Sequence, residues 1–262
     1  MLLSGTYKLD AMLHLFKNKE KQFLQACAHG DLEVLKPLVS KNPALLQSKD
    51  AVGRTGYALA LLGHHLEVGN FLKGSGYQAD LHEAALGLDW ERFSELTGNE
   101  TPATQALVNA DHPVGGSAMW AAAAGGAGSD IWRVYAPSGD PNGNPRGQRG
   151  STPLQQALHH PNLEIAELTA ASLLSNHADP DPASNADLPP LHLAAQRGSM
   201  ELVEMLVRHG ANPVRTDNDG LKASDRAQMF GWNEIVQLLH DHQNIARTCR
   251  TSQTAITADG SR

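Results

Sequence analysis

The sequence predicts an all-α solenoid of about seven helical hairpins, stacked side by side and linked by projecting β-turns. Three observations lead there. A unit of ~33 residues recurs along the chain, most completely at residues 188–214, where Leu191, His192, Leu193, Ala194 and Ala195 precede Gly198 and a second apolar stretch ends at Gly210, Ala211 and Asn212. Each copy joins two short apolar segments of helical period through a turn, which is the pattern of an antiparallel helix pair. Hydrophobic residues make up 41% of the chain but aromatic residues only 5%, so Ala and Leu must fill a closely layered core. No hairpin of this size can bury its own apolar face, and the units therefore have to stack.

The units follow in order. The first begins near Gln22: residues 23–30 give a helix and turn, and residues 31–35 open a second helix in which Pro37 is expected early enough to be tolerated. The second, residues 53–76, keeps Thr55, Ala60 and Phe71-Leu72 but carries Gly56, Ala58 and His64 at framework positions. The third opens with Asp80, Leu81, His82, Glu83, Ala84 and Ala85, and its outer segment starts at Asp89. Residues 97–111 then break the period. The fourth unit spans residues 115–126 and closes at residues 138–142.

The fifth runs from Gly150 to its closing turn at residues 177–181 and holds four residues more than the sixth, Thr169 to Ser172. Four residues is close to one helical turn of ~3.6 residues, so the insertion lengthens the outer helix without rotating its apolar face. The last unit, residues 217–239, starts with the polar Lys222-Ala223-Ser224-Asp225, as a terminal unit that shows one face to water should. The domain organisation expected is a capping segment at residues 1–21, a repeat domain at 22–241 and a disordered tail at 242–262, where periodic apolar residues are absent.

Registered along the chain, these units resemble the ankyrin repeat, with its Thr-Pro-Leu-His-like helix start, Ala-Ala pair, Gly turn and Gly-Ala-Asn ending. The resemblance covers roughly residues 20–241. It implies that Thr55, Ser117 and Thr152 cap their helices through the hydroxyl. It also implies that the rings of His82 and His192 tie one turn to the next by hydrogen bonds, and that Cys27 is a small buried hydrophobe in the place of the second Ala. In function it implies a non-catalytic module that binds another protein through its concave groove and projecting turns, the groove being lined by the two residues after the Ala-Ala pair. Down the stack these are Leu62, Leu86, Ala124, His159 and His160, Gln196 and Arg197, and Met229 and Phe230, with their glycine neighbours. An exposed apolar strip of this kind implies a partner protein, unless the 97–111 connection or the tail covers it.

Trp120 stands where the repeat usually has its histidine, either filling a packing gap or walling a pocket. Arg146 and Arg149, in a long turn ahead of the fifth unit, could recognise a carboxylate. A different class of function stays open: an enzyme or small-molecule binder with a pocket near Trp120, His159, His160 and Arg149.

Composition narrows the rest. The net charge of −7, with no long Lys/Arg run, gives no nucleic-acid footprint. No segment approaches the ~18 apolar residues of a membrane span, and the first residues do not read as a signal peptide. Two cysteines, Cys27 and Cys249, provide no disulfide framework, so a monomeric cytoplasmic protein is expected. There is no phosphate loop, dinucleotide fingerprint or nucleophile elbow, and neither catalysis nor a cofactor is expected. The thirteen histidines include the adjacent pairs His64-His65 and His159-His160, but neighbours in a helix face different ways, and no local spacing supplies a third ligand. No metal site is expected.

Overall fold

The computed structural model describes residues 18–98, 101–113, 115–136, 138–143, 150–182 and 188–244, and among these the structure is helical, with two isolated β-bridges. The chain divides into two compact units, one of Met1–Ala127 with Arg133–Asp140, the other of Gly128–Trp132 with Pro141–Arg262.

In the first unit, α1 (residues 18–29) pairs with α2 (Leu32–Lys41), whose N-cap Asp31 accepts from the Val34 amide. Pro37 lies in the middle of α2, later than the early position expected for it. Phe23, Cys27 and Leu35 are fully buried between these helices and their neighbours, and burial pushes the Cys27 thiol up to about 12. A projecting turn follows. Lys49 and Thr55 form a β-bridge, and the Asp50 carboxylate accepts from the Val52 and Arg54 amides. Helices α3 (Gly56–Leu62) and α4 (Leu66–Gly74) form the second hairpin, and α5 (Leu81–Leu86) and α6 (Trp90–Thr97) the third.

The aperiodic stretch contains a further helix, α7 (Pro102–Asn109), capped by Thr101 and packed on α8 (Ala118–Gly125). Helix α8 lies most extensively against α5. Both contribute rows of fully buried alanines, Ala84 and Ala85 facing a layer of Ala121, Ala122 and Ala123, which lets the backbones approach closely. In the fourth repeat the outer helix is reduced to a 3-10 turn (Gly128–Ile131) followed by the four-residue α9 (Trp132–Tyr135).

In the second unit, inner helices α10 (Pro153–His159), α12 (Pro190–Arg197) and α14 (Ala223–Met229) pack in succession, and outer helices α11 (Leu163–Ser175) and α13 (Met200–Arg208) pack on each other. The insertion read from the sequence lies in α11, which has 13 residues where α13 has 9. A last helix, α15, spans residues 233–244. Gln243, expected in the disordered tail, is instead buried there and donates to the Pro213 carbonyl at 3.2 Å. The helix starts behave as the sequence predicts: Thr55, Ser117 and Thr152 accept from the amides of Ala58, Trp120 and Gln155. Residues 1–17, 144–149 and 245–262 lie outside the described residues, and with them Arg146, Arg149, Cys249 and most of the expected cap and tail.

Candidate functional site

The residues expected to line an open groove separate into three groups. Met229 and Phe230 are solvent-exposed, at 66% and 52%, and His159 is exposed too. Leu62, Gln196 and Arg197 are half-buried. Leu86, Trp120 and His160 are in the core, with 2%, 7% and 8% of their surface accessible, which corrects the expectation that they face a partner.

Trp120 fills a packing gap. A Cβ at Gly115 or Gly116 would come within 2.3 or 2.8 Å of its ring, so the indole rests directly on glycine backbone. His160 is the C-cap of α10, with Nδ1 3.2 Å from the Asn162 carbonyl. Arg197 is occupied as well: its Nη1 donates to the Leu158 carbonyl at 2.5 Å and the His160 carbonyl at 2.6 Å. Those are C-terminal carbonyls of α10, which have no partner within their own helix. Arg197, expected in the groove facing a partner, therefore braces the fifth repeat from the sixth.

Two other side chains brace neighbouring repeats in the same manner. His65 covers Gly30, and its Nε2 lies 3.1 Å from the Ala28 carbonyl. Trp232 covers Gly198, and its indole Nε1 donates to the Gln196 carbonyl at 3.2 Å. Unlike His65, Trp232 keeps 42% of its surface exposed, beside Met229 and Phe230. An open cavity of about 450 Å³ adjoins it, lined among others by Gly198, Met200 and Ile235.

A second feature was missed in the sequence. Asp80, the N-cap of α5, His82 on its first turn and His112 beyond α7 come together in the first unit. The two imidazoles stack nearly parallel, centroids 4.6 Å apart and planes 5° apart, and His112 Nε2 is 2.8 Å from Asp80 Oδ2. His82 Nε2 lies 3.2 Å from the Ala110 carbonyl. Burial, reinforced by His112, pushes the His82 pKa down to about 4, so the ring is neutral at pH 7. Burial would raise the Asp80 carboxyl, but hydrogen bonds from His112 and the Glu83 amide hold it below its ordinary value. A cavity of about 460 Å³ opens beside the cluster, lined also by Arg92, Leu107 and Asp111. About thirty residues separate Asp80 from His112, so a search for local ligand spacing could not find the pair.

Sequence models of ankyrin repeats, in three copies, match residues 118–217 and 168–251, together 134 of the 262 residues. The chain belongs to the ankyrin-repeat family. Ankyrin repeats are generally protein–protein interaction modules, and the family is generally non-enzymatic. Similar proteins include XBAT34 of Arabidopsis thaliana, designated a candidate E3 ubiquitin-protein ligase, 34% identical over 38% of this chain and 26% of its own. Ankyrin repeat protein nuc-2 of Neurospora crassa is 40% identical over 35% of this chain and 8% of its own. Espin-like protein of Homo sapiens is 40% identical over 20% and 5%. The chain thus spans about a quarter or less of each of these relatives.

Within the ankyrin array the histidine position is recognisable by what it does. His192 Nε2 lies 2.9 Å from the Leu221 carbonyl, as His82 does with Ala110, and in the fifth repeat Gln155 Nε2 donates to the Leu188 carbonyl at 2.9 Å. Among the described residues no helix is long and apolar enough to cross a membrane.

Proposed function

We propose that the chain is a non-catalytic module, its repeat domain at residues 22–241, that binds another protein through the inner face of its last ankyrin repeat. One observation supports this above the others: Met229, Phe230 and Trp232, three large apolar side chains within four residues, remain exposed at 66%, 52% and 42%. A soluble repeat array has no folding reason to keep such a cluster in water, and contiguous exposed apolar surface marks interaction sites. The scaffold beneath is already ordered, so docking costs little conformational entropy. Aromatic side chains are also the commonest interface anchors, with hot-spot truncations costing ~2 kcal/mol or more.

The test is a pull-down from native lysate with wild type and with a Met229→Ala/Phe230→Ala variant, retained proteins being identified by mass spectrometry. The variant should keep the wild-type melting temperature within about 2 °C, because exposed substitutions change stability by under ~0.5 kcal/mol, and should lose the specific partner. Retention of every partner by a folded variant would move recognition elsewhere, the turn carrying Arg146 and Arg149 being the next place to look.

A further inference from the structure

We propose that Asp80, His82 and His112 form a binding site for one divalent first-row transition ion, with Zn²⁺ as the representative. A ring nitrogen of each histidine and a carboxylate oxygen of Asp80 lie within 4.8 Å of one another. Two imidazoles and one carboxylate are the donor set that such ions take when a coordination position is left open for an outside ligand. The Asp80–His112 edge is already close to the required geometry. Its nitrogen and oxygen are 2.8 Å apart, and two ligand atoms ~2.0–2.1 Å from a tetrahedral Zn²⁺ sit roughly 3.3 Å apart. Opening that edge by about half an ångström admits the ion between Asp80 and His112, and His82, which lies stacked on His112, completes the set by turning a nitrogen toward it from within 4.8 Å.

Asp80 is also held in place by the fold. The Glu83 amide donates to Asp80 Oδ1 at 2.9 Å, which leaves Oδ2 turned to His112. His82 Nε2 lies 3.2 Å from the Ala110 carbonyl, and an outer hydrogen bond of this kind orients a histidine whose other nitrogen takes a metal ion. The neighbouring cavity of about 460 Å³ gives room for water or an exogenous ligand at the remaining positions.

Comparison with the other repeats separates this arrangement from the ordinary architectural one. His192 and Gln155 make the same reach to the following repeat's carbonyl. Among the described residues, however, only at His82 do both a carboxylate, Asp80, and a second imidazole, His112, come within ligand distance. The architectural role needs neither.

The experiment uses the full chain, freed of metal with a chelator and titrated with Zn²⁺ against a chromogenic indicator, with Co²⁺ absorption in the visible range as a second readout. Wild type should bind one equivalent tightly and give ligand-field bands with Co²⁺. His112→Ala and Asp80→Asn should each weaken Zn²⁺ at least 10-fold and abolish those bands, while His159→Ala leaves both unchanged. Asn caps a helix as well as Asp does, so Asp80→Asn remains decisive should His112→Ala lose its helical circular dichroism. Absence of stoichiometric uptake by wild type, or undiminished uptake by folded Asp80→Asn, would overturn the proposal.

Discussion

The two units of this ankyrin array build the same joints from different side chains. In the second unit the sixth and seventh repeats turn between inner and outer helices at Gly198 and Gly231, with φ of 74° and 79°, the left-handed region where glycine is at ease, as the first and fourth repeats do at Gly30 and Gly126. In the first unit the corresponding turns of the second and third repeats carry His64 and Leu88, at φ 59° and 53°. The link to the next repeat's carbonyl is made by a ring at His82 and His192 and by an amide at Gln155, while Trp120 takes the equivalent place and covers Gly115 and Gly116. The first unit also buries Glu83, which accepts from the hydroxyls of Thr55 and Tyr77, and burial with the nearby Asp80 charge raises its carboxyl above the ordinary range. The repeat thus dictates a backbone path and a set of carbonyls to be satisfied. It leaves open which side chain does so.

The largest expected effect of breaking this comparison is at Trp120, where the first unit departs furthest. Trp120→Ala should cost about 3–5 kcal/mol, as buried aromatic truncations do, because the flanking glycines have no side chains to fill the space. Urea unfolding followed by circular dichroism measures this. A loss below about 1 kcal/mol would show that the ring does not hold the fourth repeat.

Next is Arg197, the brace within the second unit. Arg197→Ala leaves the Leu158 and His160 carbonyls without their charged donor, and hydrogen bonds of that kind are worth about 1.5–3 kcal/mol. Phe230→Ala, one repeat on and exposed, should stay within ~0.5 kcal/mol. Equal melting temperatures for the two variants would mean that the Arg197 contacts contribute nothing.

A smaller effect, of opposite sign, is expected at His64. A non-glycine residue in the left-handed region costs roughly 1–2 kcal/mol, so His64→Gly should raise stability by about 1 kcal/mol once the turn matches those at Gly198 and Gly231. Thermal unfolding with an unchanged or lower midpoint would show that the His64 side chain contributes more than its backbone conformation costs.

Much of the fold was legible because ankyrin framework positions are local. The caps at Thr55, Ser117 and Thr152, the buried Cys27, and the extra turn of α11 follow from short patterns. The site was less legible, because its residues are defined by contacts between repeats. Arg197 looks solvent-facing within its own repeat, and only the neighbouring α10 supplies the carbonyls that occupy it. Leu86 and His160 follow the groove register in sequence, yet adjoining elements cover them. Asp80 and His112 are separated in sequence by α6 and α7, and α7 lies in a stretch without a repeat signal. The 3-10 turn at Gly128–Ile131 likewise replaces an outer helix that the repeat pattern alone would have drawn.

The subtlest test compares the ring at His192 with the amide at Gln155. Both satisfy the carbonyl ahead of them, at the same 2.9 Å, so His192→Gln should be nearly neutral at pH 7 to 8. The two differ in titration. Burial pushes the His192 pKa below its ordinary value of 6.5, so the folded protein resists taking up the proton that the unfolded chain accepts. As pH falls through about 6.5 the unfolded state binds more protons, and the stability that the neutral ring provides above that pH is progressively lost. Glutamine carries no such proton. The His192→Gln variant should therefore show a flatter decline of melting temperature between pH 7 and pH 5 than wild type, with His82 still contributing a common slope to both. Parallel curves would mean that His192 is protonated as readily in the folded repeat as in the unfolded chain. A variant destabilised equally at every pH would instead mean that the amide cannot reach the Leu221 carbonyl as Gln155 reaches Leu188.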